Sequence, residues 1–129
     1  LSNLAQHEND KSMIKKTKIL IKEVSRDLDN YNFNLAAERL YDFAWHEFAD
    51  KYIEKVKSQK SSIRQAQDDP ESIEGSKVKS SDENSFIILN SLFLILLKLL
   101  HPFMPFVTEE IYQKMTNHEG SIMISRWPV

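Results

Sequence analysis

The chain has 129 residues, 41% of them hydrophobic and 10% aromatic, enough to bury one core without staples. It has no cysteine, which excludes a disulfide framework, a thiolate metal site and a cysteine nucleophile, and which suits a cytoplasmic setting. The net charge of −2 excludes nucleic-acid binding by bulk charge, and two glycines and four prolines leave long stretches without a helix breaker.

The opening residues, Leu1 to Asp10, are polar and lack the apolar centre of a secretory leader. A first helix is expected from about Met13 to Asn30. There Ile14, Thr17, Ile21, Val24, Leu28 and Tyr31 recur at spacings of three and four, as a seam down one side. A turn follows at Asn30-Tyr31-Asn32. Asn34 is placed to cap a second helix, which runs to about Lys57. Leu40, Phe43, Ala44, Phe48 and Tyr52 mark its apolar side, and Tyr41 and Trp45 widen it.

Residues 58–85 turn polar and acidic, are punctuated by Pro70 and Gly75, and read as a long polar loop between helices two and three. Ser80 and Glu83 have capping-box spacing, so a third helix is expected from Ser80 or Ser81 to Leu100, ending before His101-Pro102. Its run from Phe86 to Leu100 is about 15 residues and contains Asn90, Ser91 and Lys98. That is short of the roughly 20 apolar residues of a membrane span, so no membrane is expected. A fourth helix follows the Pro102–Pro105 turn, with Glu109 and Glu110 near its positive end, and stops between Met115 and Asn117. The tail, Ser121 to Val129, reads as an extended piece anchored by Ile122, Ile124 and Trp127. The expected architecture is therefore all-α, a bundle of about four helices.

Catalytic chemistry finds little support. His46-Glu47 with Asp50 lacks the second histidine of H-E-x-x-H, and Glu47 with Lys51 has the order of a helix-surface ion pair. Glu109 and Glu110 point about 100° apart and do not converge on a substrate. His101 has no visible Ser, Asp or Cys partner. No metal site, no cofactor and no catalytic residue is expected.

The charge distribution is more informative. Lys11, Lys15, Lys18, Lys22 and Arg26 fall within a sector of about 80° on helix one, well over 90° from its apolar seam. Such a stripe can follow a phosphate backbone. The aromatics Tyr41, Trp45, Phe48 and Tyr52 have the spacing either of a core face or of base-stacking groups. Core is the expectation for Phe48 and Tyr41, while Trp45 and Tyr52 stay open.

Three blocks carry a family resemblance. Asn32 to Glu54, read as Asn-Phe-Asn-Leu-Ala-Ala-Glu-Arg-Leu-Tyr-Asp-Phe-Ala-Trp-His-Glu-Phe-Ala-Asp-Lys-Tyr-Ile-Glu, resembles the anticodon-binding domain of class I aminoacyl-tRNA synthetases. Leu96 to Tyr112, with its His101-Pro102-Phe103-Met104-Pro105-Phe106 centre, and Ser121 to Pro128 agree in the same order. Trp45, Glu47, Phe48, Asp50 and Tyr52 together look most like the valyl branch. Lys51 departs from that pattern, which usually has tryptophan there, and the Asp-Arg-Trp stretch that begins the family's first element does not occur.

The resemblance implies that residues 1–129 are one helical domain of a larger synthetase, whose catalytic domain attaches valine to tRNA(Val) with ATP and magnesium. The catalytic signatures His-Ile-Gly-His and Lys-Met-Ser-Lys-Ser do not occur in these residues. Lys11, Lys15, Lys18 and Lys22 are the expected phosphate contacts. Asn3, Arg39 and Trp45 are the expected contacts nearer the bases. The expected partners are tRNA(Val) and the catalytic domain of the same polypeptide, with no role for DNA. The alternative is a helical protein–protein interaction or scaffold module that binds no RNA.

Overall fold

The computed structural model describes residues 8–54, 57–58, 76–117 and 119–129, and within 76–83 the backbone alone. Helix α1 spans Glu8–Asp29. Helix α2 spans Phe33–Asp42 and continues into a π-wound segment, Phe43–Ile53. Helix α3 spans Ser76–Leu100, α4 spans Pro105–Met115, and a 3₁₀ turn covers Ile122–Ile124. Among the described residues there are four helices in chain order and no strand, as the apolar periodicities require. Asn3 and residues 59–75, the middle of the expected polar loop, lie outside the described residues. No helix among the described residues is long and apolar enough to cross a membrane.

α1 begins a turn earlier than its apolar seam, with Glu8 and Asp10 at the positive end of its dipole. It ends in a Schellman arrangement. The Asn32 N–H donates to the Asp27 carbonyl at 2.8 Å and the Tyr31 N–H donates to the Leu28 carbonyl at 3.0 Å. This puts Tyr31 at φ 58° and turns its ring outward, so Tyr31 leaves the seam it was expected to complete. Met13 and Leu20 join Ile14, Ile21 and Val24 in the core instead.

Two caps differ from expectation. Asn32, not Asn34, precedes α2, and its side chain makes no cap bond. Ser80 and Glu83 stand inside α3, which already runs from Ser76, so their capping-box spacing marks no helix start. Pro105, expected in the turn before it, opens α4, where its missing N–H is one that no intrahelical carbonyl would take.

The π winding rearranges the second helix. In i→i+5 geometry, residues five apart share a side. Phe43 and Phe48 are both buried, and Ile53 packs against the same core. Trp45 falls off that row and is exposed, and so is Tyr41, which was expected in the core. Phe48 stacks on Phe93 of α3 with ring centroids 5.9 Å apart and planes 9° apart. Around it, Val24, Ala36, Leu40, Ile88 and Leu99 are sealed from solvent, and α1 packs against both α2 and α3.

The tail is tied to α4 by one carboxylate. Glu109 accepts from Gln113 Nε2 at 2.6 Å, from Ser121 Oγ at 3.1 Å and from the Ile122 N–H at 3.0 Å. The Gln113 amide first, then Ser121 and Ile122, hold the Glu109 carboxyl below its usual range. Its role is to anchor a segment rather than to offset a helix dipole. Ile122 is buried by this attachment, whereas Ile124, expected as an anchor, is exposed on the 3₁₀ turn.

Candidate nucleic-acid interface

α1 carries two polar surfaces with opposite fates. Thr17, Asp10 and Asp27 lie on the packed side and are buried. The Thr17 hydroxyl donates to the Met13 carbonyl at 2.9 Å. Asp10 accepts from the Tyr52 hydroxyl at 2.8 Å and from Ser85 Oγ at 3.0 Å, joining α1, the π segment and α3 at one point. Burial, and then the hydrogen bond to Asp10, push the Tyr52 phenol far above its ordinary range. Tyr52 is thus a core hydroxyl and not a stacking platform. No sequence spacing joins Asp10 to Tyr52 and Ser85, because they lie 42 and 75 residues away.

Arg39 projects from α2 onto the flank of α1. Its Nε donates to Asp27 Oδ2 at 2.8 Å and its Nη1 donates to Glu23 Oε2 at 2.9 Å. Lys16 pairs with Glu47 across the same seam, and Lys51 reaches Glu47 at 2.5 Å from one turn further along. The hydrogen bonds from Lys16 and Lys51 hold the Glu47 carboxyl below its usual range. The expected Glu47–Lys51 pair is therefore present but shared with a third residue. A groove of about 460 Å³ runs along this seam, with Ile19, Leu20 and Phe43 beneath and Glu23, Arg39 and Glu47 at its sides. Its cations face carboxylates, so it offers little net attraction to phosphate.

Lys11, Lys15, Lys18 and Lys22 are all exposed on the outward side of α1. Among the described residues, none of the four stands within ion-pair distance of a carboxylate. From Lys11 to Lys22 the row spans about 16 Å along the helix axis at 1.5 Å per residue. Glu23 and Asp27, which hold Arg39, lie about 100° and 140° round the helix from the middle of the row. Arg39 and the lysine row are thus set on different surfaces. Trp45 is exposed on the π segment, beside His46, whose Nδ1 lies 3.7 Å from Asp50.

Of the groups considered for catalysis, His46 and Glu47 both line the groove, whereas His101 does not. His101 sits in the α3–α4 turn with Nδ1 2.8 Å from Thr108 Oγ1, and that hydroxyl donates to the Met104 carbonyl at 2.7 Å. His101 therefore clasps a turn. Glu47 is held by Lys16 and Lys51 on the far side of the sequence. Thr108, almost wholly buried at this clasp, had no signal in the sequence beyond its place in the apolar block.

Comparison with known proteins decides between an RNA-binding domain and a scaffold. The model of the anticodon-binding domain of tRNA ligase matches residues 10–129. The chain belongs to that family. Valine-tRNA ligase of Fervidobacterium nodosum is 34% identical over 123 residues, which is 93% of this chain and 12% of that protein. The enzymes of Clostridium perfringens and Campylobacter jejuni (strain RM1221) are 37% and 38% identical over 92% and 99% of this chain. The chain spans only 12 to 13% of the length of these three relatives. An anticodon-binding domain most like that of valine-tRNA ligases is what the three sequence blocks implied, and the scaffold alternative is not favoured.

Proposed function

We propose that this anticodon-binding domain holds the anticodon end of tRNA(Val) for a synthetase that attaches valine. The observation that carries the reading is the row of four exposed lysines with no carboxylate within ion-pair distance among the described residues, on a chain of this family. Lys11, Lys15, Lys18 and Lys22 position the RNA by neutralising phosphates and releasing counterions. Trp45 supplies an exposed ring for an unstacked base. Arg39 keeps N–H donors beyond the two it gives to α1, and Asn3 is assigned to the bases by family position alone. ATP and magnesium would serve a catalytic domain elsewhere in the polypeptide, in the cytoplasm.

That catalytic domain is also the proposed occupant of a second surface. Met104, Phe106 and Val107 at the α3–α4 turn are exposed, and so are Met123 and Ile124 on the 3₁₀ turn, with Phe106 at 90%. Such a group of apolar side chains is suited to packing against protein rather than RNA.

The test is fluorescence anisotropy of labelled tRNA(Val), titrated with the chain at low and moderate salt beside a tRNA with altered anticodon bases. Binding is expected to fall with salt and with the anticodon change. Replacing Lys15, Lys18 and Lys22 with Ala should flatten the slope of log K against log salt by about 2, at about 0.7 per lost phosphate contact. Equal affinity and slope for the triple variant would end the lysine assignment.

A further inference from the structure

We propose that the outer groove along the α1–α2 seam docks a cationic amphipathic helix of another protein, on a surface separate from the lysine row. The inference goes beyond the RNA-binding reading and does not depend on it.

Each wall of the groove is one side of a helix. α1 contributes Lys16, Ile19, Leu20 and Glu23. The second helix contributes Arg39, Asp42, Phe43 and His46. Both sets follow the spacing i, i+3, i+4, i+7, and two such sides meeting form the furrow in which a third helix packs. α3 packs against both helices from the core side. Among the described residues, the outer groove is lined by α1 and the second helix alone. Leu20 and Phe43 continue its floor into the core, and Ile19 stands half exposed at its edge. From Lys16 to Glu23 the wall is about 10 Å long, room for about two turns of a docked helix.

The charges of the groove select the occupant. Two cations and three carboxylates line it. Lys16 is held by Glu47, and Arg39 by Glu23 and Asp27, so neither is left for an anion. His46 lies 3.7 Å from Asp50. Asp42 is exposed, and among the described residues no cation stands within ion-pair distance of it. The same is true of Glu38, one turn earlier on α2. Two such carboxylates, four residues apart, match two basic side chains one turn apart on a partner helix. An apolar floor with an acidic edge repels a polyanion and suits aliphatic anchors flanked by lysine or arginine.

The probe is a fluorescein-labelled synthetic helix of about four turns, with two leucines one turn apart and lysines on either side of them. Control peptides carry serine for the leucines or glutamate for the lysines. Anisotropy with the whole chain is expected to show saturable binding of the cationic amphipathic peptide, and binding at least about tenfold weaker for each control. I19N and E38Q/D42N should each weaken the peptide about fivefold, with urea midpoints near the parent's, because all three side chains are exposed. K11A/K15A should lower tRNA(Val) affinity without weakening the peptide. No saturable binding, equal binding of the controls, or indifference to I19N and E38Q/D42N would overturn the proposal. So would a loss of tRNA affinity in those two variants, which would make RNA the occupant. Self-association in sedimentation that the same variants abolish would make it a second copy, and would overturn it too. Peptide binding without tRNA binding would end the RNA reading and leave the groove standing.

Discussion

α1 shows, on one helix, what separates a structural charge from a functional one. On the flank that meets α2, Lys16, Glu23 and Asp27 are each matched by Glu47 or Arg39. On the outward side, Lys11, Lys15, Lys18 and Lys22 have no carboxylate within ion-pair distance among the described residues. Lys16 is the same residue type as the outward four. A lysine whose field is cancelled by a fixed neighbour has little left for a phosphate, whereas one facing only water and mobile counterions can exchange those ions for RNA.

The comparison breaks most easily at its buried end. Asp10→Ala leaves the Tyr52 and Ser85 hydroxyls without their acceptor and should cost about 3 kcal/mol, read as a lower midpoint in urea. A loss below about 0.5 kcal/mol would mean that the node is replaceable by water. The same node sets an alkaline limit. The Tyr52 pKa is raised on folding, so its contribution is whole below about pH 10, the unfolded value, and is lost as pH rises above it. Tyr52→Phe should flatten that part of the stability profile.

Arg39→Ala comes next. It uncovers Asp27, which is buried, and removes two charge-assisted bonds across the α1–α2 seam. A cost of about 2 kcal/mol is expected, together with a weaker anticodon response if Arg39 also meets the bases. An unchanged anticodon response in a destabilised protein would confine Arg39 to the seam.

Glu47→Gln should have a smaller effect, below about 1 kcal/mol, because its partners Lys16 and Lys51 are half exposed. The Glu47 pKa is lowered on folding, so its contribution is present above the ordinary value of 4.5 and is lost as pH falls below it. The variant should therefore differ from the parent at neutral pH and converge with it in acid. Smallest of all, Lys15→Ala should change stability by less than about 0.5 kcal/mol while still lowering tRNA affinity. A large stability loss there would show that the outward row has partners after all.

Much of the fold was legible because apolar periodicity reports directly on burial. Ile14, Ile21, Val24, Leu40 and Phe48 are in the core as their spacing required. Of the residues expected in the core, Tyr41 is exposed, because it lies on α2 about 100° round the helix from buried Leu40. Trp45, open between core and stacking group in the sequence, falls off the five-residue row of the π segment, Phe43, Phe48 and Ile53, and is exposed. Tyr31 continued the α1 seam on paper, and the left-handed turn at the helix end swung it outward. Ser80 with Glu83 matched a capping pattern too short to distinguish a cap from a helix interior.

For the candidate interface, sequence placed the lysine row, since a helix fixes angles within itself. It did not show that Arg39 is ion-paired, because the carboxylates that hold it lie 12 and 16 residues away on another helix. The family was also determined by the sequence alone, through three ordered blocks of residues. Only the tertiary structure decided which charges are spent, which aromatics face solvent, and that the tail meets α1 through Trp127 and Ser25, 102 residues apart. The physical reason is range: local periodicity sets the direction of a side chain from its own axis, whereas its partner is set by which other elements pack beside that axis.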